Sequence, residues 1–270
     1  MTSRGRAMLL TCAALLGAAA CRSPAPVPAA VPAPVPAPAP APAAAATEVP
    51  AAGIVAPSEA QTAQAVGLWV MRFYKAPAPE LLLPYLQRAV AVGLVRGDRA
   101  ASAVAFFATA LQRYPDQAPA WEQAFAGRPE AEQVQVYTVL WQSGVPAAQA
   151  LVRKRLGSDA PWLAAVVAMP PLDLRTRKPA AAADLDAHWG AFFASGDTAY
   201  LAPLLTVMAR IDTRDTTLAP EIRALGGAAR WSMGSLVADH PLLKTWCESK
   251  RDGATGTLGA ALDEVLKPQP

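Results

Sequence analysis

Between positions 58 and 270 the apolar side chains recur mostly at helical spacing. In 101–113, Val104, Phe107 and Leu111 stand at i, i+3 and i+7. In 130–142, Val134, Tyr137 and Trp141 repeat that spacing, and 147–156 and 201–211 follow it more loosely. Strand-like alternation is rare and Ala is abundant. The breaks are helix punctuation: Tyr114-Pro115-Asp116, Gly127-Arg128-Pro129, Ser143-Gly144-Val145-Pro146, Gly157-Ser158-Asp159, Gly196-Asp197 and Ala238-Asp239-His240-Pro241. Gly or a polar residue stops one helix, and Pro or Asp opens the next. The pattern predicts an all-α fold of about ten helices, each of about 10–14 residues, with short connections that make sequence neighbours antiparallel.

Breaks between 98 and 160 are spaced so that a helix pair takes about 30 residues, close to the length of a tetratricopeptide unit. That repeat carries Trp, Leu-Gly, Tyr and Ala at set offsets, and no window here holds two copies. The expectation is an irregular stack of antiparallel helical hairpins, solenoid-like but without a consensus repeat. One stretch, 169–183, breaks the pattern with two prolines, Arg175, Arg177, Lys178 and a run of alanines, and reads as a solvated surface loop.

Ahead of this domain the pattern changes twice. Arg4 and Arg6 precede the run of small and apolar residues 7–20, which is short of the roughly 20 residues a membrane span needs. This reads as a signal peptide over 1–20. Its end, Leu15-Leu16-Gly17-Ala18-Ala19-Ala20-Cys21, resembles a bacterial lipobox, with Ala18 where Leu is preferred. The resemblance implies cleavage before Cys21 and acylation of its sulfur and amine, giving several acyl chains and a stable membrane anchor. Arg22 stands after the cysteine where Asp does not, so in a Gram-negative cell the resemblance implies the outer membrane, facing the periplasm. An ordinary signal peptide cut after Ala-Ala-Ala is the plainer alternative.

From Arg22 to Pro57 the chain is mostly Pro, Ala and Val, and 28–42 alternates proline almost regularly. Proline removes backbone donors and disfavours helix at the residue before it. A polyproline spacer rises about 3.1 Å per residue, so this tract could reach on the order of 100 Å. The organisation is therefore 1–20 signal peptide, 21–57 lipidated N-terminus and Pro/Ala-rich linker, and 58–270 α-helical domain.

The formal charge is +3. Loss of Arg4 and Arg6 leaves 22 basic against 21 acidic side chains. Such a balance excludes a strongly basic nucleic-acid binder, and no nucleic-acid partner is expected. Of three cysteines, Cys12 leaves with the signal and Cys21 is acylated, so Cys247 stands alone and forms no internal disulfide. Beside Trp246 it reads as a small buried apolar residue.

Catalytic patterns are missing. Ser232, in Arg230-Trp231-Ser232-Met233-Gly234, lacks the first Gly of a nucleophile elbow. No zinc-protease, C-x-x-C, phosphate-loop or dinucleotide motif occurs. His188 and His240 have no metal-ligand spacing, so neither metal nor cofactor is expected. A Cys247–His240 dyad would lie two turns apart on one helix, about 10 Å, too far for a hydrogen bond. Pro241 makes His240 a helix-start residue, read as a cap or a satisfied surface imidazole. Asp184 with Asp186, and Glu130 with Glu132, are two apart and diverge on a helix.

Two segments stand out. His188-Trp189-Gly190-Ala191-Phe192-Phe193-Ala194-Ser195-Gly196-Asp197 places Trp189, Phe192 and Phe193 on one face, with Gly196 as a left-handed stop and Asp197 as the next cap. The second runs over 228–241, from Ala228 through Trp231 and Ser232 to His240-Pro241. Together they resemble motifs of an uncharacterised family of secreted α-helical proteobacterial proteins, a likeness that implies a helical fold over about 100–250 and no activity. Core packing explains these residues; the functional alternative is that His188, Trp189, Arg230 and Trp231 line a groove for a peptide or partner helix.

An acyl anchor, a stalk and a helical domain without catalytic signature point to a non-enzymatic envelope lipoprotein that binds another envelope protein. The alternatives are an immunity or inhibitor lipoprotein against a periplasmic toxin or lytic enzyme, and an envelope hydrolase.

Overall fold

In the computed structural model the described residues are 57–97, 100–156, 160–210 and 219–267. The signal peptide, Cys21, the proline-rich tract and the Gly157-Ser158-Asp159 break lie outside them. The contacts gather the described residues from Glu59 onward into one compact unit. Among the described residues there are twelve α-helices and no strand, so the fold is all-α.

The helices are α1 Glu59–Arg72, α2 Leu82–Ala91, α3 Ala100–Arg113, α4 Ala118–Phe125, α5 Glu130–Gln142 and α6 Pro146–Arg155. They continue with α7 Pro161–Ala168, α8 Ala182–Ser195, α9 Ala202–Ala209, α10 Pro220–Val237, α11 Pro241–Arg251 and α12 Gly256–Val265. Prolines open many of them: α6, α7, α10 and α11 each carry Pro at the first position, where the missing N–H has no helical partner to lose. At the start of α8 the Asp184 carboxylate accepts the N–H groups of Ala180 and Ala181, 2.9 and 3.0 Å away. At its end Gly196 takes φ +71°, and its N–H closes on the Phe192 carbonyl at 2.7 Å. Asp197 then caps the following 3-10 turn, Thr198–Leu201, by accepting the Ala199 N–H.

The most extensive helix contact joins α3 to α8, with four helices between them in the sequence. Both are buried around their whole circumference, over 104–111 in α3 and 187–194 in α8. Small residues let the backbones meet. A Cβ on Gly190 would lie 2.1 Å from the Ser102 carbonyl oxygen and 3.0 Å from the Phe106 nitrogen. At the other end Arg113 donates to the last carbonyls of α8, Ala194 at 3.2 Å and Ser195 at 2.9 Å. The two helices therefore run in the same direction.

Around this pair, α1 packs on α8 and α2, while α9, α10 and α12 form a second layer that meets α8 through α10. Contacts between sequence neighbours, such as α4 with α5 and α11 with α12, are present too. The core is nonetheless organised by a sequence-distant pair. Nearest-neighbour stacking alone, as in a solenoid, does not make such a pair.

The stretch expected to be a solvated surface loop is mostly exposed, and it is tied down at a few points like a strap. Trp141 Nε1 donates to the Met169 carbonyl at 2.7 Å, and the Leu172 N–H to the Gln142 carbonyl at 3.0 Å. Leu174 is buried, Arg175 pairs with Asp197 at 2.6 Å, and Arg177 pairs with Asp184 at 2.8 Å. Its apolar residues, hidden among prolines and charges, anchor it to the ends of α3 and α5.

Candidate functional site

The four residues of the expected groove do not share one open surface. His188 is fully buried. Neither of its ring nitrogens closes a hydrogen bond, although the carbonyls of Tyr200 and Arg177 face the imidazole. Burial pushes its pKa below the ordinary value, against the pull of those carbonyls and of Asp184. Trp189 is also in the core, and its Nε1 donates to Ser232 Oγ at 3.1 Å. That bond joins the two segments singled out by composition. Arg230 pairs with Glu264 at 2.8 Å. Trp231 alone faces solvent, 48% exposed, on the side of α10 that also presents Ala224 and Gly227.

His240 is a second departure. It does occupy the position before α11, but its side chain does not cap the helix and is 3% exposed, so it is no surface imidazole. Tyr74, from the 3-10 turn Phe73–Lys75 after α1, approaches its Nδ1 at 2.8 Å. Phe193 lies against the ring at 5.4 Å between centroids, and Phe192 at 6.5 Å. Lys75 reaches across to donate to the Asp239 carbonyl. Burial pushes the imidazole pKa down to about 4, helped by the Lys75 ammonium and by Arg72 and opposed by Asp239. Burial likewise raises the Tyr74 pKa, so its phenol stays protonated and shares a hydrogen bond with the ring. Cys247 is fully buried, as its neighbour Trp246 suggested, and burial pushes its thiol up to about 12.

A polar trio missed by sequence reasoning lies beside α5. Tyr137 Oη donates to Glu122 Oε1 at 2.9 Å and accepts from Arg155 Nε at 2.9 Å, while Arg155 also donates to the Ala126 carbonyl. Burial raises the Tyr137 pKa; Arg155 works against this and Glu122 with it. The three residues sit on three helices, 15 and 18 positions from Tyr137, and no local spacing signals them. Tyr137 and Arg155 border a cleft of about 160 Å³ with Glu130, Gln133, Trp162 and Leu163. A second cleft of about 140 Å³ opens under the strap, between Thr109, Gln112, Asp173, Arg175 and Tyr200. Both are below the roughly 300 Å³ at which pockets for drug-sized ligands begin. We expect Tyr137→Phe to cost about 1–2 kcal/mol, because Glu122 and Arg155 each lose a partner but keep one another at 3.3 Å. Urea unfolding measures this, and an unchanged midpoint would show the trio to be idle.

Among the described residues, no three His, Cys, Asp or Glu side chains group closely enough to hold a metal ion. Among the same residues, no helix is long and apolar enough to cross a membrane. No family model, curated protein or solved structure matches this chain. The likeness to secreted helical proteins of proteobacteria therefore rests on its quoted motifs alone.

Proposed function

We propose that this chain is a non-enzymatic lipoprotein of the cell envelope whose helical domain binds another protein. The observation that carries the reading is the sequence around Cys21, where small residues end an apolar run and a proline-rich tract follows at once. Acyl chains on Cys21 hold the chain on the outer membrane, and the tract over 22–57 lets the domain reach into the periplasm. Support for a protein partner comes from Trp231. A half-exposed Trp is costly to leave in water, and Trp is enriched where interfaces are most energetic. Its small neighbours Ala224 and Gly227 would let a partner approach the helix closely.

The test has two arms. Wild-type chain should partition with membranes, and Cys21→Ala should release it to the soluble fraction. Soluble wild-type protein would sink the anchor. A photo-crosslinker at position 231 should then capture one protein in stoichiometric amount from intact cells. A folded, abundant chain that crosslinks to nothing from that position would remove the binding reading.

A further inference from the structure

The cleft of about 140 Å³ under the strap has walls from α3, from residues 172–175 of the strap and from Tyr200. Its strongest donor is already engaged. Arg175 pairs with Asp197 at 2.6 Å and lies over the Tyr200 ring at 5.2 Å. Its acceptors are open. Gln112 spends its Nε2 on the Ser143 carbonyl at 2.8 Å, which leaves the amide Oε1 to accept. Thr109 is 5% exposed, and its hydroxyl makes no hydrogen bond among the described residues. Asp173 receives the Thr176 hydroxyl at 2.5 Å and, among the described residues, has no cation within ion-pair distance. The strap's arginines, by contrast, are paired, Arg175 with Asp197 and Arg177 with Asp184. Asp173 and Asp197 therefore outweigh Arg175 by one negative charge at the rim of the cleft. Leu172 and Leu174 supply an apolar wall.

We propose that this cleft binds a primary alkylammonium group, its N–H donors shared among Thr109, Gln112 and Asp173 and its carbon chain laid against Leu172 and Leu174. An ammonium brings three donors and no acceptor, which matches three groups able to accept. An anion would meet Asp173 and find Arg175 already engaged. A neutral alcohol brings one donor and leaves the carboxylate without a counter-charge. A bare metal ion would leave the apolar wall unused. A cavity of about 150 Å³ holds a molecule on the order of six heavy atoms, so the space suits a short aliphatic chain and its head group. The same chemistry comes from two sources, a small free amine or the end of a lysine side chain carried by another protein. The inference rests neither on the anchor at Cys21 nor on Trp231.

Titration of the ¹⁵N-labelled full chain with propylammonium, followed by NMR, tests the site. The amides of Thr109, Leu172 and Leu174 are the reporters, and they should move to saturation with a Kd of about 0.1–10 mM, the range open to a ligand of so few atoms. Propan-1-ol keeps the shape without the charge, and tetramethylammonium keeps the charge without the N–H groups. Each should bind at least about tenfold more weakly. Asp173 is exposed, so Asp173→Asn should fold regardless and weaken propylammonium by about tenfold. Thr109→Val, which keeps the shape and removes the hydroxyl, should weaken it by about threefold. A blocked peptide with one lysine separates the sources: binding as tight as propylammonium or tighter assigns the site to a partner's lysine, and weaker binding assigns it to a free amine. Saturation by neither propylammonium nor the peptide, shifts that fall outside the cleft, an unchanged Kd in Asp173→Asn, or tetramethylammonium binding as well as propylammonium would each overturn the proposal.

Discussion

Gly190→Ala should destabilise the domain by about 3 kcal/mol or more, which places it among the most damaging single methyl additions the chain offers. The added Cβ would meet backbone, the Ser102 carbonyl oxygen at 2.1 Å, and backbone within two packed helices cannot turn aside as a flexible side chain can. To admit the methyl group, α3 and α8 must separate by an ångström or more. That loosens contacts along both fully buried stretches. Helix propensity acts the other way, since Ala is favoured over Gly by about 1 kcal/mol in a helix interior. Gly227, in α10, isolates that opposing effect. A Cβ there meets nothing within 4 Å, so Gly227→Ala should raise stability by about 0.5–1 kcal/mol. Urea unfolding of the two variants beside wild type should move the midpoints in opposite directions. A Gly190→Ala protein within 1 kcal/mol of wild type would mean that the two helices do not approach as closely as described.

The same pair shows where sequence reading stops. Helix positions were legible because Gly, Pro and Asp punctuate them. The window 130–142 matches α5, and Gly196 and Asp197 take the stop and cap roles their types suggest. Which face is buried was less legible. In α5 the spacing of Val134, Tyr137 and Trp141 pointed to one stripe, yet Val134 is half-buried while Val136, Val139 and Leu140 are fully buried. The helix is covered on more than one side, by α3, α4, α6 and α7, and no single stripe describes it. Helix pairing was not legible at all. Ser102, Ala105 and Gly190 carry little hydrophobic signal, and their smallness becomes meaningful only once two backbones are in contact. The candidate groove fails for a related reason. On a helix buried all round, His188 and Trp189 point inward whichever way they face. Trp231, on a helix with one open side, stays in solvent.

Acid should weaken the fold in a window that histidine sets. The chain has two histidines, and both are buried in surroundings that lower their pKa. In the unfolded chain each titrates near 6.5. Between about pH 4 and 6.5 the unfolded state therefore binds more protons than the folded state, and stability rises with pH across that range. The His240 contribution is fully present above pH 6.5 and is lost as pH falls toward 4. It amounts to about 3 kcal/mol if the ring stays in its seat. His188 acts with the same sign. Carboxylates respond elsewhere: Asp173 and Asp263 are held below their ordinary 3.8 by Thr176 and Arg251, so what they contribute disappears only under more acidic conditions. Urea unfolding at pH 7, 5.5 and 4.5 should show a progressive fall for wild type and a shallower one for His240→Gln, the remainder belonging to His188. A wild-type stability flat across that range would contradict the burial of both rings. A fall of equal depth in His240→Gln would assign the whole acid response to His188, beneath the strap.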